Sequence, residues 1–148
     1  MKRVLLMLAI VAAFVGCKAG KCDIIGRVDN FNDRGKVYLV DKWDAQNIID
    51  SVEMVDNTFR FKRVKHAPTF AQLIMETGRP IAYLFIEEGE ILVSGDYNLG
   101  TIKATGTQAN DAFNVMMKHS EDLLARYRKA RGDKNDAEIE AIEKEHEE

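Results

Sequence analysis

NTFRFKR, residues 57–63, decides the fold. Phe59 and Phe61 alternate with Arg60 and Lys62. A period of two is the repeat of a β-strand with one face on a core and the other in water. The rings are therefore expected inward and the cations outward. Arg60, Lys62 and Arg63 then form a solvated face that also resists edge-to-edge pairing. Asp56-Asn57 lies just before, and both residue types tolerate positive φ, so the junction predicts a tight hairpin turn. IIDSVEMV, residues 48–55, is the strand expected on its other side.

Outward from this pair the chain keeps the same rhythm. CDIIGRVD (22–29), KVYLVD (36–41), TFAQLIME (69–76), IAYLFIE (81–87), EILVSGD (90–96) and a short stretch at 101–105 all read as strands. NFNDRG (30–35), His66-Ala67-Pro68, Thr77-Gly78-Arg79-Pro80 and Glu88-Gly89 read as turns between them. The 30–35 loop fails as an EF-hand calcium loop, because Phe31 stands where a third-position oxygen ligand is required. IAYLFIE is almost wholly apolar and is expected to be a central strand covered on both faces. About eight short strands at spacings of roughly 8–12 residues spell a mainly β fold, an antiparallel β-sandwich or barrel without parallel βαβ units.

After Gly106 the pattern changes to a helix, with Thr107 or Asn110 as N-cap. Phe113, Met116, Met117, Ser120, Leu124 and Tyr127 fall on one face at helical spacing. That amphipathic stripe is expected to pack on a sheet. The basic residues Arg126, Arg128, Lys129 and Arg131 suit a helix C-terminus. Residues 132–148 are acidic, with Ile139 and Ile142 as a thin apolar face: an acidic solvated tail or a truncated helix.

The N-terminus carries a different signal. MKRVLLMLAIVAAFVGC opens with Lys2 and Arg3, continues with an apolar run from Val4 to Val15, and ends in Gly16-Cys17. This is the layout of an export signal, and a run of about a dozen residues is too short for a spanning helix of about 20. Phe14-Val15-Gly16-Cys17 resembles a lipobox, which implies that Cys17 becomes the first mature residue and is lipidated on its sulfur. Residues 1–16 are then a lipoprotein signal peptide and 17–21 a short tether. Residues 22–131 are the β-sandwich domain with its packing helix. Such a protein is exported and lipid-anchored in the bacterial cell envelope. Lys18 after the cysteine is not the Asp-type retention signal, so outer membrane facing the periplasm is expected.

The chain carries 21 Lys plus Arg against 24 Asp plus Glu, a net charge of −3, and loss of Lys2 and Arg3 makes the remainder more acidic. An acidic chain does not suit phosphate backbones, so nucleic acid is not the expected partner. Chemistry motifs are absent from the sequence. Cys22 would be the one thiol left after lipidation of Cys17, and its expected role is a small buried hydrophobe opening the first strand, with a thiol-based redox enzyme as the sharper alternative. His66, His119 and His146 lie far apart in different elements, and Ser51 beside Asp50 has no histidine near it in sequence. Trp43, in the loop after the second strand, is a candidate ligand contact of the kind a glycan-binding sandwich uses. No cofactor and no metal site is expected.

The succession IIDSVEMVDNTFRF, AYLFIEEGEILVSGD and ATGTQANDAF resembles the domain of unknown function 4369 family. The residues that carry the likeness are Asp50-Ser51, Phe59, Phe61, Glu88-Gly89, Gly106-Thr107 and Asn110-Asp111. The resemblance spans about Cys22 to Tyr127. It implies a β-rich domain behind a lipoprotein signal, of the kind that precedes a thioredoxin-like domain of the TlpA/AhpC type in Bacteroides-like bacteria. The Trp-Cys-x-x-Cys site of that second domain is not in this sequence. The implied role is non-enzymatic: a lipid-anchored domain that positions or docks a thioredoxin-like disulfide oxidoreductase, in cis or in trans.

Overall fold

The computed structural model describes residues 21–147. The expected signal peptide (1–16) and the expected lipidation site Cys17 lie outside the described residues. Among the described residues, eight strands form two four-stranded sheets. β1 (Cys22–Asp29), β4 (Thr58–Val64), β7 (Gly89–Asp96) and β8 (Lys103–Thr105) make one, in the order β4-β1-β7-β8. β2 (Gly35–Asp41), β3 (Ile48–Met54), β5 (Thr69–Met75) and β6 (Pro80–Ile86) make the other, in the order β3-β2-β5-β6. Two helices follow, α1 (Gln108–Gly132) and α2 (Asp136–Glu147). The arrangement is an open sandwich rather than a closed barrel.

The core lies between the sheets. Ile24, Val28, Phe61, Ile91 and Val93 from the first sheet meet Val37, Leu39, Leu73, Leu84 and Ile86 from the second, all buried. β4 obeys its period: Phe59 and Phe61 are buried while Arg60, Lys62 and Arg63 are exposed. It is an edge strand, where outward cations discourage pairing with another chain. Phe59 lies across from Gly26 in register, and only a glycine leaves room for its ring there.

Three expectations need correction. First, β6 is an edge strand, not a central one. A register shift opposite Ile74 turns Ile81 inward along with Leu84 and Ile86, while Tyr83 faces out. Its apolar outer residues are explained by α1 lying against it. Second, β1 and β7 pair in parallel along their whole length, so the first sheet is mixed. No βαβ unit makes that pair; the crossover is everything from β2 to β6. Third, the Asp56-Asn57 turn joins strands of different sheets instead of closing a hairpin within one. Asp56 and Asn57 do take positive φ, 50° and 60°, and Val55 bridges Thr58 as in a tight turn. Yet β3 departs into one sheet and β4 into the other. Glu88-Gly89 likewise carries the chain from β6 to β7 across the sandwich.

Strand direction alternates along the chain, so loops collect at two ends. The end where β1 begins gathers the β2–β3 loop (42–47), the β4–β5 loop (65–68), the β6–β7 turn (87–88) and the start of α1. Lys21 sits there, its carbonyl accepting the Gly89 N–H at 3.1 Å.

The acidic segment is a helix packed back on α1, not a solvated tail. Leu123, Ala130 and Ile142 are buried between α1 and α2, with Tyr127 and Ile139 beside them. Arg126 clamps the pair, donating to Glu145 at 2.7 Å and to Glu138 at 3.1 Å. Both carboxylates stabilise its charged form and raise its pKa.

Candidate functional site

The start of α1 is tied to the edges of both sheets. Asn110 is almost fully buried. Its Oδ1 accepts the Phe85 N–H at 2.9 Å and its Nδ2 donates to the Phe85 carbonyl at 2.8 Å. One side chain thus does for β6 what a neighbouring strand would do. Thr107 is the N-cap residue, its side chain making no capping bond. The Glu87 carboxylate accepts the Ala109 N–H at 2.7 Å, and Asn114 donates to the Ala104 carbonyl at 2.7 Å. An acid at the first helical turn also complements the helix dipole.

The same docking builds an aromatic cluster on the outer face of β5 and β6. Phe70 is its hub. Phe85 lies 4.7 Å from it, Phe113 of α1 5.5 Å, and Tyr83 is stacked at 5.8 Å. Trp43 stands at the rim, 6.5 Å from Phe70 and 82% exposed. The loop holds it firmly: Asp41 accepts the Trp43 N–H at 2.8 Å, Asp44 accepts the Gln46 N–H at 3.1 Å, and Lys42 N–H donates to the Phe70 carbonyl at 3.0 Å. Lys42 Nζ lies 4.7 Å over the Tyr83 ring. The sequence points to Trp43, and to Phe113 as a residue that packs on a sheet, but not to Phe70, Tyr83 and Phe85 on β5 and β6 as their neighbours. Their only local signal was an excess of aromatics at positions whose strand period points outward.

Beyond Asn114 the helix leaves the sandwich, and every residue from Val115 to Asp122 is exposed. The expected packing stripe therefore divides. Phe113 packs on the sheet, Tyr127 packs near α2, and Met116, Met117 and Leu124 between them are about half exposed. The side chains that bury against α2 lie one step round the helix, Leu123 and Ala130. A groove of about 680 Å³ runs beside this stripe, lined by Ser120, Leu123, Leu124, Tyr127 and Ile142. His119 and His146 also line it, so the fold brings together two histidines that the sequence sets far apart. His66 stays apart in the β4–β5 loop. Among the described residues, no cluster of three or more His, Cys, Asp and Glu side chains has metal-site geometry.

Cys22 opens β1 and points into the core, 1% exposed. Burial disfavours the thiolate and pushes its pKa up, and the negative charges of Asp23 and Glu87 act in the same direction. Ser51 is exposed on β3, its N–H held by Asp50 at 2.7 Å.

The family model described as Domain of unknown function (DUF4369) matches residues 22–113. The match begins with β1 and ends at Phe113, within the turn where α1 parts from the sandwich. No curated protein matches the chain.

Proposed function

The chain belongs to the DUF4369 family, and on that premise we propose that it is a non-enzymatic, lipid-anchored envelope domain that docks a thioredoxin-like disulfide oxidoreductase. The oxidoreductase is either a separate protein or a further module of the same polypeptide. The observation that carries the docking reading is the exposed stripe Met116, Met117, Leu124. A helix whose apolar face leaves its own sheet offers that face to something else. Methionines are flexible and polarizable, and they suit a surface that must fit a partner. Anchoring rests on the lipobox-like Phe14-Val15-Gly16-Cys17. The nature of the partner rests on the family resemblance.

The thiol-enzyme alternative is weaker on physical grounds. The thiolate is the nucleophile, and Cys22 is buried and shifted away from it. A ligand-binding role at Trp43 keeps one observation in its favour, the exposed indole beside Phe70 and Tyr83. Cross-linking the full chain in a bacterial envelope tests the main reading. Recovery of a protein with a thioredoxin-like fold supports it. Recovery of no envelope protein overturns it, and glycan binding lost in Trp43→Ala favours the ligand role instead.

A further inference from the structure

We propose that the end of the sandwich holding Trp43 rests on the phospholipid surface, with the Trp43 indole seated among the headgroups. The inference deepens the lipid-anchor reading and rests on it.

Chain length sets the geometry. Four residues, Lys18 to Lys21, separate the acylated Cys17 from the first strand. At about 3.3–3.6 Å per residue they reach at most ~14 Å. Lys21 is fixed to the fold through its carbonyl, which holds the Gly89 N–H. A tether shorter than the sandwich is long keeps the end where β1 begins next to the bilayer. The β2–β3 loop lies at that end, because β2 runs toward it and β3 away from it.

Trp43 fits that position chemically. The residue is 82% exposed, which leaves a large apolar surface in water. The bond from the Trp43 backbone N–H to Asp41 and the turn closed by Asp44 fix the loop backbone that carries the ring. Indole is amphipathic, with an apolar body and one N–H, and tryptophan gathers at membrane–water interfaces for that reason. Charge does not select an anionic surface. At this end the charges of Lys21, Lys42 and Lys65 are balanced by those of Asp44, Glu87 and Glu88. The occupant is therefore a zwitterionic phospholipid surface, engaged by the ring and the acyl anchor together.

Trp43 is the single tryptophan of the chain, so its fluorescence reports this contact alone. The experiment uses the lipidated full chain, purified from envelopes, its acylation verified by mass, in phosphatidylcholine vesicles. The expected result is emission at shorter wavelength than in the unlipidated Cys17→Ser chain. Most of that emission is lost when the vesicles carry brominated acyl chains, and protection from aqueous acrylamide accompanies the loss. Adding anionic lipid leaves both readouts unchanged. Vesicle-bound protein whose tryptophan stays water-exposed overturns the seating of Trp43 while leaving the anchor intact. A chain that carries no acyl group and stays off the vesicles overturns the anchor itself.

Discussion

Asn110 and Phe85 are joined by two hydrogen bonds, side-chain oxygen to backbone N–H at 2.9 Å and side-chain nitrogen to backbone carbonyl at 2.8 Å. The amide of a helix residue thereby closes the open edge of β6. A third bond, from Nδ2 to Thr107 Oγ1 at 2.8 Å, fixes the amide in place. The pair matters because it sets where α1 begins, and hence where the exposed stripe points.

Asn110→Ala leaves the Phe85 N–H and carbonyl without partners in a part-buried place. An unsatisfied buried polar group costs about 1–3 kcal/mol. A loss of about 2 kcal/mol in urea unfolding is expected, with a faster exchanging Phe85 amide. Asn110→Asp keeps the acceptor but cannot donate to the carbonyl when ionised. It should lose stability at neutral pH and regain part of it in acid.

Gly26 and Phe59 give a second test. A Cβ at position 26 would come 2.0 Å from Cζ of the Phe59 ring. Gly26→Ala must push the ring out of the core, and overpacking of this kind costs about 1–3 kcal/mol. Gly26→Ala combined with Phe59→Leu should recover part of the loss in thermal unfolding.

The pH dependence has two signed components. Asp23 accepts the Arg63 N–H at 2.7 Å and a bond from the Arg60 guanidinium at 3.2 Å, and both lower its pKa. Its contribution is present above the usual carboxylate value of about 3.9 and is lost as pH falls through the lower folded value. Cys22 has the opposite profile. Burial raises its pKa, so below the unfolded thiol value of about 8.5 it costs nothing, and above that value the unfolded thiol ionises first and stability falls as pH rises. Thermal unfolding from pH 2 to 10 should show both limbs, with Asp23→Asn flattening the acid one and Cys22→Ser the alkaline one. Alkylation of Cys22 by iodoacetamide should require unfolding.

Met116→Glu and Leu124→Lys separate docking from folding. Both sites are about half exposed, and changes at such sites usually stay within about 0.5 kcal/mol. Unfolding midpoints should hardly move, whereas binding to the oxidoreductase should be lost.

Much of this fold can be read along the chain because its signals are local. Phe59 and Phe61 show their period, Asp56 and Asn57 show their turn, and all eight strands lie within a residue or two of their sequence positions. Pairing is not local. Nothing near Cys22 says that β1 lies parallel to a strand more than sixty residues later. Nothing in IAYLFIE separates a strand buried by two layers from an edge strand covered by the first turns of a helix. The stripe on α1 was legible as apolar, but whether the sheet is long enough to cover it depends on where Asn110 pins the helix. Trp43 was legible as a lone exposed aromatic; its place beside Phe70 required three other elements to meet.

The most direct measurement places a photo-cross-linking residue at position 117 on the α1 stripe, and in a second chain at position 62 on the outer face of β4. Both full chains are irradiated in the bacterial envelope. The account predicts capture of a thioredoxin-fold oxidoreductase from position 117 and none from position 62. Equal capture from both, or no capture from 117, contradicts it.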